Sequence, residues 1–278
     1  MDNVIKNIIQ VGKVSVIMGI YNCASTLSEA IESILSQTYK NWNLIMCDDG
    51  SSDETYKVAD SYREIYPEKI KLIRHEKNKG LNVTLNDCLE LADGEFIARM
   101  DGDDLCLPER FEVQVSLLRK HKEFSFVSSP MIYFDENGEW GKGKAIEKPI
   151  AKDFIRGCPF CHAPAMVRIE AYRAVHGYSL DKYTKRCEDA DLWARMYSKG
   201  YLGYNLQLPY YKMRDDRNAI SRRKFKYAIN AFLTRINIAH MLHLPIIAYV
   251  FSLRPIIVSL LPYKLYKYLH RKGRKNRL

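Results

Sequence analysis

The chain has 278 residues, of which 47% are hydrophobic and 27% charged, and this composition argues against a disordered or low-complexity protein. The formal net charge of +10 is unevenly placed, because the segment from Lys212 to the end has sixteen Lys or Arg and two Asp, a net of +14, which leaves −4 for residues 1–211. We therefore expect one large, mildly acidic domain followed by a strongly basic appendage.

The first hundred residues alternate apolar runs with helical patterns. A short lead-in helix is predicted over 1–13, and strands are predicted at 14–20, 42–47, 70–75 and 96–100. Of the helices between these strands, the first has the capping-box spacing Thr26-x-x-Glu29, the second ends near residue 64, and the third covers 81–91. This alternation predicts right-handed βαβ units and a mostly parallel sheet. Neither G-x-G-x-x-G nor G-x-x-x-x-G-K-[ST] is present, so a cation and basic residues would have to meet the charge of a bound phosphate.

Two predicted strands end in clustered carboxylates: Asp48 and Asp49 after the second, and Asp101, Asp103 and Asp104 after the fourth. Open α/β sheets bind ligands at the C-terminal ends of their strands. Carboxylates this close together disfavour one another's ionisation unless a cation or hydrogen bonds compensate, and Mg²⁺ or Mn²⁺ beside a diphosphate would do so. The alternative is a structural turn, with Asp104 near the cap of the helix that Pro108 opens.

The second half of the domain is less regular. The pattern predicts a helix at 108–121, a strand at 124–134, a hairpin or mobile loop at 135–149, a strand at 163–167 and a polar loop at 177–186. An amphipathic helix begins at Cys187, and its first turn holds Glu188, Asp189 and Asp191. Acids in a first turn commonly complement the helix dipole, so alone they do not indicate a site.

The seven cysteines are an odd number, lie mostly in apolar runs and follow no recognisable signal peptide. We therefore expect reduced thiols and a location on the cytosolic side. The motif Cys158-x-x-Cys161-His162 fits a redox or a haem-attachment pattern, but the contexts that those sites need are missing. We interpret these residues as structural or as lining a substrate.

Residues 216–278 form a predicted basic, amphipathic, helical tail. The apolar run from Met241 to Leu261 is broken by His243, Pro245, Arg254 and Pro255, which favours a helical hairpin lying in a membrane interface over a spanning helix. The Tyr, Lys and Arg residues that follow suit the headgroups of an anionic leaflet. Nucleic acid would leave the apolar run unexplained, so we expect no nucleic-acid partner. A helical cap packed on the main domain is compatible with membrane contact.

Six short motifs follow one another in order: Val14-Ser15-Val16-Ile17 to Tyr21-Asn22; Ser33-x-x-x-Gln37-Thr38; Asp48-Asp49-Gly50-Ser51-x-Asp53; Asn78-x-Gly80-Leu81; residues 94–104; and Glu188-Asp189-x-Asp191-Leu192-Trp193. Each is weak alone, but in this order they resemble the family 2 glycosyltransferases of GT-A fold, most closely the capsule, exopolysaccharide and O-antigen enzymes. The resemblance covers residues 13–215. It implies an α/β catalytic domain (1–215) with a Rossmann-like, mostly parallel sheet flanked by helices, a nucleotide-binding half at 13–105 and an acceptor half at 106–215, followed by the membrane-associating helical appendage.

The resemblance also implies roles for individual residues. Tyr21, Asn22 and Asp49 would hold the nucleotide, together with the loop of Asn78 and Gly80. Asp101 and Asp103 match the family's D-x-D motif: Asp103 would reach a Mn²⁺ or Mg²⁺ cofactor, and Asp101 would serve the nucleotide and the metal. Asp189 would be the general base, supported by Glu188, and His162 and Asp191 would line the acceptor side.

Three departures from the family pattern qualify this resemblance. Leu85-Asn86 stands where many relatives have Arg-Asn, so a phosphate contact would fall to Arg99, Arg214 or Arg217. Arg214 stands near the position where relatives often place a His, so we do not expect a third protein ligand to the metal. The Q-x-x-R-W signature of processive synthases is absent, which indicates transfer of single sugars.

The combined expectation is an inverting, metal-dependent transferase that moves one sugar from a UDP-sugar to a polyprenyl-diphosphate-linked glycan in surface polysaccharide biosynthesis. The enzyme would be cytoplasmic and peripheral, held by its basic tail on the anionic inner face of the cell membrane. Two alternatives remain open: a nucleotidyltransferase, and a non-catalytic membrane-binding module with a vestigial nucleotide site.

Overall fold

A computed structural model of the protein describes residues 9–215 and 225–261. The strands are β1 (Gln10–Ile20), β2 (Trp42–Asp48), β3 (Ile70–Arg74), β4 (Gly94–Arg99), β5 (Leu105–Cys106), β6 (Phe124–Ser128), β7 (Ile132–Asp135), β8 (Gly138–Lys142), β9 (Met166–Arg168), β10 (Leu202–Asn205) and β11 (Tyr211–Arg214). The helices are α1 (Ala24–Leu35), α2 (Thr55–Ile65), α3 (Leu81–Glu90), α4 (Arg110–Lys120), α5 (Ile169–Ala174), α6 (Glu188–Ser198), α7 (Phe225–Met241), α8 (Ile247–Ser252) and α9 (Arg254–Ser259). Short 3₁₀ turns cover Ala151–Arg156 and Lys182–Thr184.

The larger sheet has seven strands in the order β10-β6-β9-β4-β1-β2-β3. The pairs β4/β1, β1/β2, β2/β3 and β10/β6 are parallel, whereas β9 runs antiparallel to both of its neighbours, β4 and β6. The predicted mostly parallel sheet is therefore confirmed. Strands β1, β2 and β4 all end at the same edge, which places the carboxylates that follow β2 and β4 on one side of the molecule.

Helices cover both faces of this sheet, which explains why β2 is buried at all seven of its positions. Successive β1 residues point to opposite faces: Met18 joins the core under α1, α2 and α4, and Ile17 joins the core under α3, α5 and α6. In the second core, the Trp193 ring stacks on Phe126 with ring centroids 4.4 Å apart. This packing fixes the start of α6 against the sheet.

A second, four-stranded sheet has the order β5-β11-β7-β8 and lies beyond the end of β4. The single strand predicted at 124–134 is wrong, because the chain leaves the large sheet at Ser128 and re-enters strand structure at Ile132 in the small sheet. The hairpin predicted for 135–149 is present as the β7–β8 turn. Strand β11, which begins at residue 211, pairs with β5, and β5 directly follows the predicted metal cluster in the chain.

Three local predictions fail, two of them because tertiary contacts replace the expected caps. Helix α1 begins before Thr26, since Thr55 Oγ1 accepts the Cys23 N–H at 2.8 Å and the Asp53 carboxylate accepts the Ala24 N–H. Asp104 does not cap α4; its carboxylate accepts the Arg214 N–H at 2.7 Å. The predicted lead-in helix is wrong for residues 10–13, which open β1, and its first eight residues lie outside the described part of the chain.

The predicted helical tail is confirmed as the three helices α7, α8 and α9 between residues 225 and 259, whereas its residues 216–224 and 262–278 lie outside the described part of the chain. Helix α7 packs against α6. Thr234 Oγ1 donates to the Tyr183 carbonyl at 3.0 Å, and Asn230 Nδ2 donates to the Lys185 carbonyl at 3.2 Å, so α7 holds the loop that leads into α6. Helices α8 and α9 present large apolar side chains to solvent: Ile246, Ile247, Val250, Leu253, Ile257 and Leu260. None of the helices in the described ranges has the length and apolar character needed to cross a bilayer.

Candidate active site

The nucleotide side of the site is built on the loop that follows β2. Asp49 is buried, and its carboxylate accepts the N–H groups of Lys79 and Gly80, each at 2.8 Å. Gly80 has φ +96°, a conformation that favours glycine and lets two successive N–H groups point at the carboxylate. Asp49 therefore fixes the loop of Asn78 and Gly80 beside itself, and the three residues predicted to bind nucleotide lie together.

A histidine that the sequence analysis did not select completes this arrangement. His75 is buried just after β3, with Nδ1 2.8 Å from Asp49 and Nε2 2.7 Å from Asp87 on α3. The Cys47 thiol also approaches Nε2, so the Cys47, His75 and Asp87 ligand atoms lie within 4.8 Å of one another. With both ring nitrogens facing carboxylates, His75 joins the loop after β2 to α3.

Tyr21 and Asn22 face the same loop from the end of β1. Asn22 adopts a left-handed conformation, φ 49°, and its side-chain oxygen accepts the Ser52 N–H at 2.9 Å, while Ser51 Oγ accepts the Asn22 N–H at 3.0 Å. The Tyr21 side chain is 49% exposed. An exposed aromatic ring beside a fixed, polar loop is suited to contact a planar base.

The predicted metal cluster divides into three environments. Arg99, which is buried, donates to both oxygens of Asp101, from Nη1 at 2.7 Å and from Nη2 at 2.6 Å. Asp104 is buried, and burial together with the Asp101 and Asp103 carboxylates raises its pKa. Asp103 is exposed, and no ion pair to its carboxylate exists within residues 9–215 and 225–261.

Arg214 lies over this cluster from the end of β11. Its backbone N–H donates to the Asp104 carboxylate. Its Nε donates to the Asp103 carbonyl at 2.9 Å, and its Nη2 donates to the Glu29 carboxylate at 2.5 Å. Desolvation of its carboxyl group by neighbouring protein atoms and the charge of Asp101 raise the pKa of Asp103, and the Arg99 and Arg214 guanidinium groups oppose this rise. Arg217, the third predicted phosphate contact, lies outside the described residues.

The residues predicted to form the acceptor side lie at the start of α6 and in the segment before β9. Burial and the Glu188 carboxylate raise the pKa of Asp189 to about 6, and Arg99 opposes the rise. His162 Nε2 lies 2.8 Å from the Tyr178 hydroxyl, and burial and Arg99 lower the His162 pKa well below its usual range, which keeps the ring neutral. The remaining predicted residue, Asp191, is buried and accepts from Arg195 Nε at 2.7 Å, an (i, i+4) pair within the helix.

Arg99 connects the metal cluster with the acceptor side. It binds Asp101 directly, and its charge acts on Asp189 and His162. One buried guanidinium at the end of β4 thus binds Asp101 and acts through its charge on Asp103, Asp189 and His162. Two signals in the sequence pointed to this grouping: the strand-end carboxylates and the acidic first turn of α6.

Comparison with known proteins identifies the family of the chain. The family model described as glycosyl transferase family 2 matches residues 15–176. The protein EpsE of Bacillus subtilis (strain 168), named provisionally as a glycosyltransferase, is 45% identical over 260 residues that cover 94% of each chain. The chain belongs to glycosyl transferase family 2. The resemblance stated from the motifs is therefore confirmed.

Two further members of the comparison add detail. WfgD of Escherichia coli, named as a UDP-Glc:alpha-D-GlcNAc-diphosphoundecaprenol beta-1,3-glucosyltransferase, is 38% identical over 146 residues, which are 52% of this chain and 56% of WfgD. The structure of S. aureus TarS 1-349 in complex with UDP-GlcNAc superposes with a TM-score of 0.64 over 94% of this chain and 92% of TarS, at 14% identity. At that identity the likeness concerns the fold, and it confirms the predicted α/β class with a central sheet flanked by helices.

Proposed function

We propose that this family 2 member transfers a single sugar from a UDP-sugar to a lipid-linked glycan, with inversion at the anomeric carbon, during assembly of a surface polysaccharide. The observation that carries the proposal is Asp189 in the first turn of α6: burial and Glu188 raise the pKa of its carboxylate to about 6, and it feels the charge of Arg99, the residue that binds Asp101. A base whose pKa lies just below the working pH is ionised and still able to take a proton.

The donor would bind along the ends of β1 and β2. Tyr21, Asn22 and the loop that Asp49 holds offer an aromatic ring, backbone groups and a carboxylate to a base and ribose, which are what a uridine nucleotide needs for recognition. WfgD is named for a UDP-Glc donor, and the TarS structure contains UDP-GlcNAc. The Asp49 oxygens retain lone pairs beyond the bonds that they already accept, so a base N–H could be added.

The exposed carboxylate of Asp103, with Asp101 behind it, offers hard oxygen ligands of the kind that Mn²⁺ and Mg²⁺ prefer. Desolvation and the neighbouring Asp101 carboxylate raise the pKa of Asp103, so its ionised form is disfavoured, and a divalent cation would favour it. These residues therefore fit the predicted cofactor. When bound, such a cation supplies stabilisation of the diphosphate that departs.

The chain's own residues would carry the displacement. An Oδ atom of Asp189 takes the proton of the acceptor hydroxyl as its oxygen bonds to the anomeric carbon, and the bond from that carbon to the UDP oxygen breaks on the opposite face. Glu188 keeps the Asp189 pKa raised, and neutral His162 lines the acceptor side. Arg214, which lies over Asp103, is placed to contact the departing phosphate, and Arg99 holds Asp101 in position.

The acceptor proposal rests on the C-terminal helices. Ile246 is 84% exposed and Leu260 70% exposed, so α8 and α9, which pack on α7, present an apolar surface. Exposed apolar surface of this kind marks a membrane or partner contact, and the positive charge of the tail favours an anionic leaflet. WfgD is named for a diphosphoundecaprenol acceptor. The enzyme would work as a peripheral protein on the inner face of the cell membrane.

A donor screen tests the proposal. The full-length protein is incubated with a panel of UDP-sugars and Mn²⁺ or Mg²⁺, and UDP release is measured with and without sugar-diphosphate-lipid acceptors. We expect one UDP-sugar to be consumed faster in the presence of acceptor, and the product's anomeric coupling constant to show inversion. Pyrophosphate released from a nucleoside triphosphate would instead identify a nucleotidyltransferase, and failure to bind UDP with Mn²⁺ would indicate a non-catalytic module.

A further inference from the structure

Two arginines lie on packed neighbouring helices, α7 and α9, and have no acidic partners in the described part of the chain. Arg235, on α7, is half-buried and donates from Nη1 to the Phe251 carbonyl at 3.4 Å, and Arg254 begins α9, which packs on α7. Within residues 9–215 and 225–261, no carboxylate forms an ion pair with either guanidinium. Burial and the Arg254 charge lower the pKa of Arg235, so the two cations repel each other in this structure. Such a pair gains stability from a polyvalent anion.

The position of Arg235 connects this pair to the acceptor side of the site. Burial, together with the Asp189 and Glu188 carboxylates, raises the pKa of the Cys187 thiol to about 12, and the Arg235 guanidinium opposes this rise. Burial and Asp189 likewise raise the pKa of Cys158, which Arg235 also opposes. The Asp189 carboxylate and the Arg235 guanidinium therefore act on the same two thiols. An acceptor with its hydroxyl at Asp189 would extend toward Arg235.

The backbone at residue 157 leaves room for the Arg235 side chain. Gly157 has φ +145°, and a Cβ atom built there would lie 3.2 Å from Arg235 Nη2. The absence of a side chain lets the guanidinium approach the chain immediately before Cys158. On its other side, Arg254 is exposed and continues into the apolar residues Ile257 and Leu260 of α9. The pair thus lies between the acceptor side of the site and the apolar surface.

We propose that Arg235 and Arg254 bind the diphosphate of the lipid-linked acceptor, with the sugar pointing to Asp189 and the lipid chain lying along α8 and α9. This inference rests on the proposed function for the identity of the acceptor. Guanidinium groups donate paired hydrogen bonds to phosphate oxygens, and two of them match the two phosphates of a diphosphate better than one. The arrangement would select acceptors by the diphosphate as well as by the sugar.

Binding of farnesyl diphosphate to the full-length protein tests the proposal without requiring the acceptor sugar. Calorimetry is performed with saturating UDP, so that the donor's phosphate contacts are filled. We expect Arg254→Ala and Arg235→Gln each to weaken farnesyl diphosphate binding about tenfold, because each removes charged hydrogen bonds. UDP affinity should stay unchanged. Arg63→Ala, which removes an exposed arginine of α2 paired with Asp60, is the matched control and should behave as wild type.

Three kinds of result would contradict the proposal. Wild-type protein that does not bind farnesyl diphosphate, or variants within twofold of wild type, would remove the diphosphate site. Variants that lose UDP and farnesyl diphosphate affinity together would show a general structural effect. Loss of flotation with phosphatidylglycerol vesicles, with farnesyl diphosphate binding intact, would assign the pair to lipid headgroups. If no UDP-sugar is consumed but the two variants still weaken binding, the proposed function fails while the diphosphate site stands.

Discussion

Replacing Asp189 by asparagine tests the chemical core of the proposed mechanism. Asn keeps the size and hydrogen-bonding shape of the side chain but cannot take a proton from the acceptor hydroxyl. We expect kcat to fall by about 10²–10⁴-fold, the usual contribution of a general base, while UDP binding is retained. Asp181→Asn is the matched control, because Asp181 is an exposed acid in the preceding loop whose bonds go to Ser179 and Tyr183.

The raised pKa of Asp189 adds two further expectations. The wild-type rate should fall as pH decreases through about 6, since the protonated carboxyl cannot act as base. The pKa is raised in the folded protein from 3.8 to about 6, so ionising Asp189 costs stability as pH rises through this window. At neutral pH this lowers the free energy of unfolding by about 2–3 kcal/mol, because each tenfold change in proton affinity corresponds to about 1.4 kcal/mol.

Because Asn carries no charge, the Asp189→Asn variant should unfold at a higher denaturant concentration than wild type at pH 7.5, even though it is nearly inactive. Its free energy of unfolding should exceed that of wild type by up to about 3 kcal/mol. The assays are UDP release with saturating donor and acceptor between pH 5 and 8, UDP calorimetry, and urea unfolding at pH 4.5 and 7.5. Turnover close to wild type in the variant, or a wild-type pH profile without an inflection near 6, would refute the role of Asp189 as base.

Three other variants probe the remaining parts of the site. Asp103→Asn should reduce metal-dependent transfer at least tenfold and raise the Mn²⁺ concentration that gives a half-maximal rate. Wild-type activity that persists in EDTA would contradict the role of the metal. His75→Gln should weaken UDP binding about tenfold and lower the free energy of unfolding by about 1–3 kcal/mol, because the Asp49 and Asp87 carboxylates lose a shared partner; calorimetry and urea unfolding measure this. Ile246→Glu should reduce flotation with anionic vesicles without changing UDP affinity, whereas unchanged flotation would remove the apolar surface from membrane binding.

The sequence predicted the large sheet and the grouping of carboxylates because both depend on local pattern. Apolar runs that alternate with helical periods specify parallel strands, and parallel strands bring their C-terminal ends to one edge. Asp49 and Asp101 could therefore be assigned to the same side of the molecule before any coordinates. The helix that begins at Glu188 was also predicted, since its apolar period starts there.

Long-range contacts explain what the sequence did not reveal. His75 is placed beside Asp49 by the pairing of β3 with β2, and it could have been selected because it follows β3 directly, as Asp49 follows β2. The partner of Asp104 lies 110 residues away on β11, which no local rule identifies. The capping box at Thr26 had the right spacing, but groups from Asp53 and Thr55 satisfy the first N–H groups of α1 instead.

The antiparallel strand β9 has a consequence for how the chain folds during synthesis. Strands β1 to β4 occupy one end of the large sheet, yet β4 has its outer edge covered only when residues 166–168 pair with it. About seventy residues must therefore leave the ribosome after β4 before that edge is closed, and unpaired strand edges are prone to associate with other chains. We expect nascent chains that stop between β4 and β9 to be sensitive to proteases and to aggregate, and chains that extend past β9 and β10 to become resistant.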